Sequence, residues 1–447
     1  MSRQIFFVEA GNEFGCKNDA VWLAFAPLNG SAFLVTKEEM ISLQHECNAS
    51  SIPDENKSIG ARALLHAPTR PIMRIPKSWE DVYDIDILLN FKCNFHCVYC
   101  YSAAGRSDTE LKWETVKTYL DYLFSDQHPR EKTYRIHFSG GGEPTLSFGL
   151  IRKITEHIEY KANLSKHRFQ LGMVTNGSLL TYEIMDYVAK HKIELVVSFE
   201  ILKRFQNAER GHYDDVAANI DQLLARHAKF SVRATLTRDS ACFMPEMVEE
   251  IHNRFPLLTS ITFDTVLSPD LFPLPEALDD YYNIFFDNFL KAWQLGQKYG
   301  INIGSPIALL LTFQRERTCF GKIVFTPEGR FSVCSRVSSP KEKLFDSFIY
   351  GEIDSNGGIK IDTDKFNQFL QESTIESNPA CHDCFARWNC GGGCHLFYQS
   401  FSKEFHPVFC KFQKRGLKHL ILKTIADQFF EKNGVSLFDH IRKLYLK

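Results

Sequence analysis

Lys92–Ala103 reads KCNFHCVYCYSA, three cysteines at C-x3-C-x2-C spacing directly behind the apolar run DIDILLN at Asp84–Asn90. That run predicts a β-strand, so the cysteines fall on the loop leaving its C-terminal end. A tetrahedral structural zinc needs four protein ligands, and three thiolates are one short. His96 is the obvious fourth donor, but a histidine adjacent to Cys97 cannot easily point at the same metal. Downstream, YRIHFSG (134–140), RFQLGMVTNG (168–177), IELVVSFE (193–200), FSVRATLT (230–237) and SITFDTV (260–266) read as further strands. Between them lie SFGLIRKITEHIEYKA, TYEIMDYVAKHK and DDVAANIDQLLARHA, with apolar residues at i, i+3 and i+4. Six βα units predict an α/β fold with a parallel sheet and helices outside, either doubly wound or a barrel. In both, function sits at the C-terminal ends of the strands, where the cysteine loop lies.

The flanking zones are different in kind. Val21–Thr36 (VWLAFAPLNGSAFLVT) predicts two short strands around a turn at Asn29-Gly30, followed by a helical KEEMISLQHEC and a Pro-rich, polar linker from Ser51 to Pro76. Residues 1–80 thus read as a small α/β appendage and linker. Thr318 to Phe412 is irregular and rich in cysteine, and Lys414–Lys447 is amphipathic and helical with a turn near KNGVS. A hydrophobic fraction of 44%, 38 Phe and 24% charged residues over 447 positions describe a globular chain with a large core. A net charge of −2 supplies no field toward nucleic acid or an anionic bilayer, so neither is an expected partner. The N-terminus lacks the apolar segment of a signal peptide, and runs such as IALLLTF are far below the ~20 residues of a membrane span. A cytoplasmic location is the expectation. Thirteen cysteines in a reducing compartment are then read as metal ligands or reactive thiols rather than disulfides.

A [4Fe-4S] cubane held by three cysteines leaves one iron without a protein ligand, and such an iron is a binding site for a substrate or cofactor. The triplet Cys93, Cys97 and Cys100, the aromatic Tyr99 inside it and FSGGGEPTL behind the second strand together resemble the radical S-adenosylmethionine (SAM) enzymes. The resemblance implies a partial (β/α)6 TIM-type barrel over residues 81–310. It also implies that SAM chelates the open iron and is cleaved to a 5′-deoxyadenosyl radical. Gly140, Gly141 and Gly142 lack Cβ atoms and would let backbone carbonyls approach the SAM amino group, with Glu143 close by. Asn176 in TNGS and Ser198 in SFE end strands where the family contacts ribose and the methionyl moiety, although Asn176-Gly177 also reads as a plain turn. Arg233, a cation in an apolar strand, is costly unless paired; the resemblance pairs it with the SAM carboxylate, and an internal salt bridge is the alternative. Arg210 is carried as a further contact.

Cys319 and Cys334 flank FGKIVFTPEGRFSV, a predicted hairpin turning at Pro327-Glu328-Gly329, and CHDCFARWNCGGGC and Cys410 follow. In isolation Cys381, Cys384, Cys390 and Cys394 would read as a zinc ribbon. Together the seven cysteines resemble the SPASM extension of radical SAM maturases, here residues 311–414, ahead of a helical segment at 415–447. The resemblance covers roughly Asp84 to Lys414. It implies one auxiliary [4Fe-4S] cluster on Cys381, Cys384, Cys390 and Cys410 and another on Cys319, Cys334 and Cys394, three clusters in all with the SAM-binding one. Cys16, Cys47 and Cys242 fit no spacing and read as small buried hydrophobes. Relatives that oxidise a sulfatase residue carry a further cysteine where this chain has Phe313 and a carboxylate where it has Ser335. Those departures favour maturation of a ribosomally synthesised precursor peptide by side-chain hydrogen abstraction and cross-linking. A thioether is preferred because the three-cysteine cluster lacks its fourth thiolate; a carbon–carbon or ether bond is the alternative. A sulfatase-maturase-like modification of a protein partner and a small-molecule radical reaction are the other readings. The resemblance further implies an electron donor such as flavodoxin or ferredoxin, and loosely likens the appendage to a leader-peptide recognition element, in which the leader adds a strand to a sheet edge.

Overall fold

The computed structural model describes residues 4–49, 53–128, 132–319 and 321–445. Its strands, in chain order, are β1 (Phe6–Glu9), β2 (Trp22–Ala26), β3 (Ser31–Val35), β4 (Ile72–Met73), β5 (Asp84–Ile87), β6 (Thr133–Phe138), β7 (Arg168–Thr175) and β8 (Glu194–Ser198). They continue with β9 (Phe230–Leu236), β10 (Ser260–Thr265), β11 (Asn302–Gly304), β12 (Gln314–Arg315), β13 (Ile323–Phe325), β14 (Arg330–Ser332), β15 (Ile349–Ile353) and β16 (Ile359–Ile361).

The appendage is an antiparallel sheet β1-β2-β3 followed by a helix at Lys37–Asn48, whose start is fixed by a reciprocal cap between Thr36 and Glu39. Ala24, Ala26, Val35, Met40, Leu43, Ala61 and Leu64 form its own small core, while Leu23 and Phe25 join the main one. The segment read as a bare linker carries a helix, Ile59–Leu65, and β4, which pairs in parallel with β12. Polar composition concealed both, because each is too short to show a period.

Eleven strands form the main sheet, in the order β11-β10-β9-β8-β7-β6-β5-β13-β14-β15-β16. The six predicted strands are β5 to β10, all parallel to their neighbours, and the two outer strands do not pair with each other, so the barrel is partial. The strands alternate with period two. Ile85, Ile87, Tyr134, Ile136, Phe138, Leu171, Met173, Leu195, Val197, Val232, Ala234, Ile261 and Phe263 are buried in the core. Asp86, His137, Ser198, Arg233, Thr235 and Asp264 occupy the opposite face, so the inner surface of this barrel is polar. There Asp86, 1% exposed, is held by Lys322 Nζ at 2.6 Å.

The predicted hairpin exists as β13 and β14, turned through Gly329 at φ 75°. It docks on the free edge of β5, with Ile323 opposite Ile85. The cysteine-rich segment therefore continues the barrel sheet. The C-terminal helix begins at His406, earlier than its amphipathic pattern suggested, and runs to Asn433, which places Cys410 inside it. It lies along the helix Pro275–Tyr299, with Tyr282 and Phe412 stacked at 4.1 Å. No described helix is long and apolar enough to cross a membrane.

Candidate active site and cysteine centres

The loop after β5 is held on both sides. Gly142 N donates to Asn90 O at 2.8 Å and Glu143 N to Lys92 O at 2.7 Å, while Val98 N donates to Glu209 O at 2.9 Å. A Cβ on Gly142 would lie 1.8 Å from Lys92 O, and one on Gly141, itself at φ 69°, 2.7 Å from Asn90 O. The glycine run is thus required to clamp the cysteine loop against the end of β6. Cys93, Cys97 and Cys100 line one cavity of ≈ 190 Å³ with Tyr99, Gly140, Gly141, Gly142, Glu143, Asn176, Ser198, Arg210 and Arg233. Every predicted residue of the first site comes together there, and His96 is exposed. Among the described residues no three His, Cys, Asp or Glu side chains converge closely enough to hold a single metal ion.

Several side chains are engaged differently from expectation. The Glu143 carboxylate, 3% exposed, accepts hydrogen bonds from Thr145 N (3.1 Å), Thr145 Oγ1 (2.6 Å), Thr175 Oγ1 (2.6 Å) and Asn176 N (2.7 Å). It fastens the end of β7 to the glycine turn. Asn176 makes the turn with Gly177 and also donates to Asn94 Oδ1 in the cysteine loop at 2.8 Å. Arg210 Nη1 donates to the Tyr99 hydroxyl at 2.9 Å, and that hydroxyl donates to Glu200. Burial pushes the fully enclosed Glu200 carboxyl up to about 7, with Arg210 and the Tyr99 hydroxyl opposing. Arg233 is more open than an apolar strand suggested, with a side chain 45% exposed, and its Nε lies 3.1 Å from Asp264 Oδ2. The internal pair therefore exists, and it engages Nε of a side chain that also lines the cavity.

Sequence reasoning missed four residues here. Arg106 Nη2 donates to Cys100 Sγ at 3.3 Å, and Asp264, Arg336 and Asn94 bear on the same loop or cavity. Arg106 and Arg336 lie close behind Cys100 and Cys334 in sequence, a proximity that could have flagged them; Asp264 reaches the site only through the register of β10 against β9.

The other seven cysteines sort into two groups. Cys381, Cys384, Cys390 and Cys410 line a second cavity, of ≈ 540 Å³, with Arg387 and Tyr398; the Tyr398 hydroxyl is 3.6 Å from Cys410 Sγ. Burial, then the neighbouring thiols, pushes Cys381 up to about 12 and Cys390 upward as well. Cys334 is likewise pushed up to about 12 by burial and by Cys394 and Cys319, while Cys319 is exposed. Thiols gathered in dry sites are poor thiolates on their own, and a cationic metal core removes that penalty. Soft sulfur donors without oxygen ligands select iron–sulfur chemistry over magnesium or calcium. At the first site, a cavity joining three thiols to glycine backbone, a guanidinium, carboxylates and hydroxyls suits a zwitterionic cofactor beside a cluster. Both implied groups fit the residues present.

Residues 87–266 match the Radical SAM superfamily, so the chain carries a radical SAM domain on the strands that bear the first cavity. The chain is 26% identical over 164 residues, 35% of its length, to an uncharacterized protein of Methanocaldococcus jannaschii, and it spans only 54% of that protein. It is 22% identical over 357 residues to the radical SAM cyclopropyl synthase TigE of Paramaledivibacter caminithermalis, covering 73% of this chain and 70% of TigE. The solved structure of anSMEcpe with bound AdoMet and Kp18Cys peptide superposes with a TM-score of 0.60 at 15% identity, over 76% of this chain and 99% of that one. Over the superposed residues the chain shares the fold of that structure.

Proposed function

We propose that this chain is a radical SAM maturase acting on a ribosomally synthesised precursor peptide in the cytoplasm, with one SAM-binding and two auxiliary [4Fe-4S] clusters. The observation that carries the reading is the single cavity where the cysteine triplet, the glycine backbone and the Arg233–Asp264 pair meet. When bound, a cluster and SAM supply a carbon-centred radical that removes a hydrogen atom from the substrate. Cys93, Cys97 and Cys100 hold the cluster, and the Gly142 and Glu143 backbone bonds keep their loop in place. Arg233, positioned by the pairing of its Nε with Asp264, would meet the SAM carboxylate. Arg106, half-buried beside Cys100 Sγ, adds positive charge at the thiolates.

A peptide substrate is supported by the peptide bound in the solved structure of the same fold and by the polar inner face of the sheet, which can hydrogen-bond an extended chain. The outer edge of β1, beside a groove lined by Phe7, Gln44, Cys47 and Lys57, is where a leader segment would add a strand. The bond formed is proposed to be a thioether: Phe313 supplies no fourth thiolate, and exposed Cys319 leaves the three-cysteine centre open to a thiol side chain. A carbon–carbon bond is the second reading, favoured by the similarity to a cyclopropyl synthase. A flavodoxin or ferredoxin is the proposed reductant.

Anaerobically reconstituted protein is expected to hold about twelve irons and to cleave SAM reductively. Replacing Cys93, Cys97 and Cys100 by Ala should remove about a third of the iron and all 5′-deoxyadenosine formation. Zinc at one or two equivalents with little iron would overturn the proposal. Incubation with the precursor peptide decides the bond: a thioether leaves a cysteine resistant to alkylation, a carbon–carbon link leaves it reactive.

A further inference from the structure

We propose that Arg317 is a buried charge-compensating residue of the Cys319, Cys334 and Cys394 centre, holding the reduction potential of a cluster there above the value its thiolates alone would set. This rests on the reading that these cysteines ligate an auxiliary cluster. Arg317 is 1% exposed and is the largest fully buried side chain. Nη1 donates to the Cys319 carbonyl and Nη2 to Ser373 Oγ at 3.1 Å, and that hydroxyl lies 2.5 Å from Nδ1 of His395, the neighbour of Cys394. The guanidinium carbon sits 4.7 Å from the Phe369 ring centre. Nε is buried without a hydrogen-bond partner.

Among the described residues no carboxylate pairs with Arg317. The contrast is Arg387 beside the four-cysteine cavity, also buried but paired with Glu376 Oε1 at 2.6 Å. Burial disfavours the Arg317 charge, and the groups that favour it are Cys319, Cys394 and Cys334. An enclosed cation without a counter-ion is strongly unfavourable, so the site is built for an anion, which three thiolates around a cubane supply. Reduction adds one electron, and a fixed positive charge bonded to the Cys319 carbonyl stabilises the more negative state. Arg317 therefore makes this centre a better electron acceptor than its thiolates alone would allow.

The test uses the full chain, anaerobically reconstituted with Cys93, Cys97 and Cys100 replaced by Ala so that only auxiliary clusters remain, reduced with dithionite and titrated by electron paramagnetic resonance. Arg317→Gln should move one auxiliary potential downward by about 59 mV or more, a tenfold change for one electron, and leave the other in place. Arg317→Lys should restore it. Loss of about one cubane in Arg317→Gln but not in Arg317→Lys would also support the charge role, through assembly. Unchanged potentials at full iron content overturn the proposal, as does loss of iron in both variants, which would make Arg317 a packing residue. If the Cys-replaced parent itself holds no iron, the auxiliary-cluster reading has failed, and that is seen before any Arg317 variant is titrated.

Discussion

Arg233 and Glu200 show how much a single charged side chain decides in this site. A charge-assisted contact from Arg233 to the SAM carboxylate is worth on the order of 1.5–3 kcal/mol, so Arg233→Ala should weaken SAM binding roughly ten- to a hundredfold at unchanged iron content. Equilibrium dialysis against reconstituted protein measures this, and unaltered affinity would leave Arg233 as the structural partner of Asp264. Glu200 makes a pH prediction. Its carboxyl, pushed up to about 7 in the fold, binds a proton more tightly than in the unfolded chain. Its contribution to stability is therefore full below about 4.5 and is lost as pH rises through 7, a loss on the order of 3 kcal/mol at most. Glu200→Gln should flatten that part of the profile when urea midpoints at pH 5 and pH 8 are compared. At this scale the grouping of the cysteines was legible because their spacing is local. The engagement of Glu143 was not: its carboxylate is used by Thr175 and Asn176, 32 and 33 residues away in sequence.

At the scale of elements, one substitution should have opposite signs in two places. Gly142→Ala drives a Cβ to 1.8 Å from a backbone carbonyl. It should cost about 1–3 kcal/mol or more and lose iron from the Cys93 site. Gly149, in the helix Phe148–Ser165, has nothing within 4 Å of its added Cβ, so Gly149→Ala should stabilise by about 0.4–1 kcal/mol. Melting curves and iron assays on the two variants check both. Five of the six central strands could be read because each carries five or more residues of alternating pattern or apolar run, and β5, four residues long, could be read because the apolar Leu88 and Leu89 extend it. β1, β4, β11, β12 and β16 have two to four residues, too few for a period, and exist by pairing with partners that the local sequence does not name. The same alternation, YRIHF and SITFDT, also recorded the polar inner face, because one parity of these two strands is polar while the other is buried in the core.

Over the whole molecule, the pairing of β13 with β5 makes the cysteine-rich segment a structural part of the barrel. A chain ended at residue 310 would leave β5 with a bare hydrogen-bonding edge over an apolar core, an aggregation-prone arrangement. It is expected to elute as aggregate in size-exclusion chromatography, whereas the full chain does not; a monodisperse truncated barrel would show that the two segments fold independently. Spacing within each cysteine group was visible in the sequence, but nothing in it linked Ile323 to Ile85.

That pairing also sets an order of events during synthesis. Lys322 and Asp86, bonded across the β13 edge, are 236 residues apart in sequence. At ribosomal speeds of ~5–20 residues per second, β5 waits roughly ten to fifty seconds for its second neighbour. The cysteine loop leaves the ribosome directly behind β5, while Cys410, the last ligand candidate, follows 310 residues after Cys100. The β5 edge is therefore covered late, and iron delivered co-translationally would meet the first triplet long before the other seven thiols can gather.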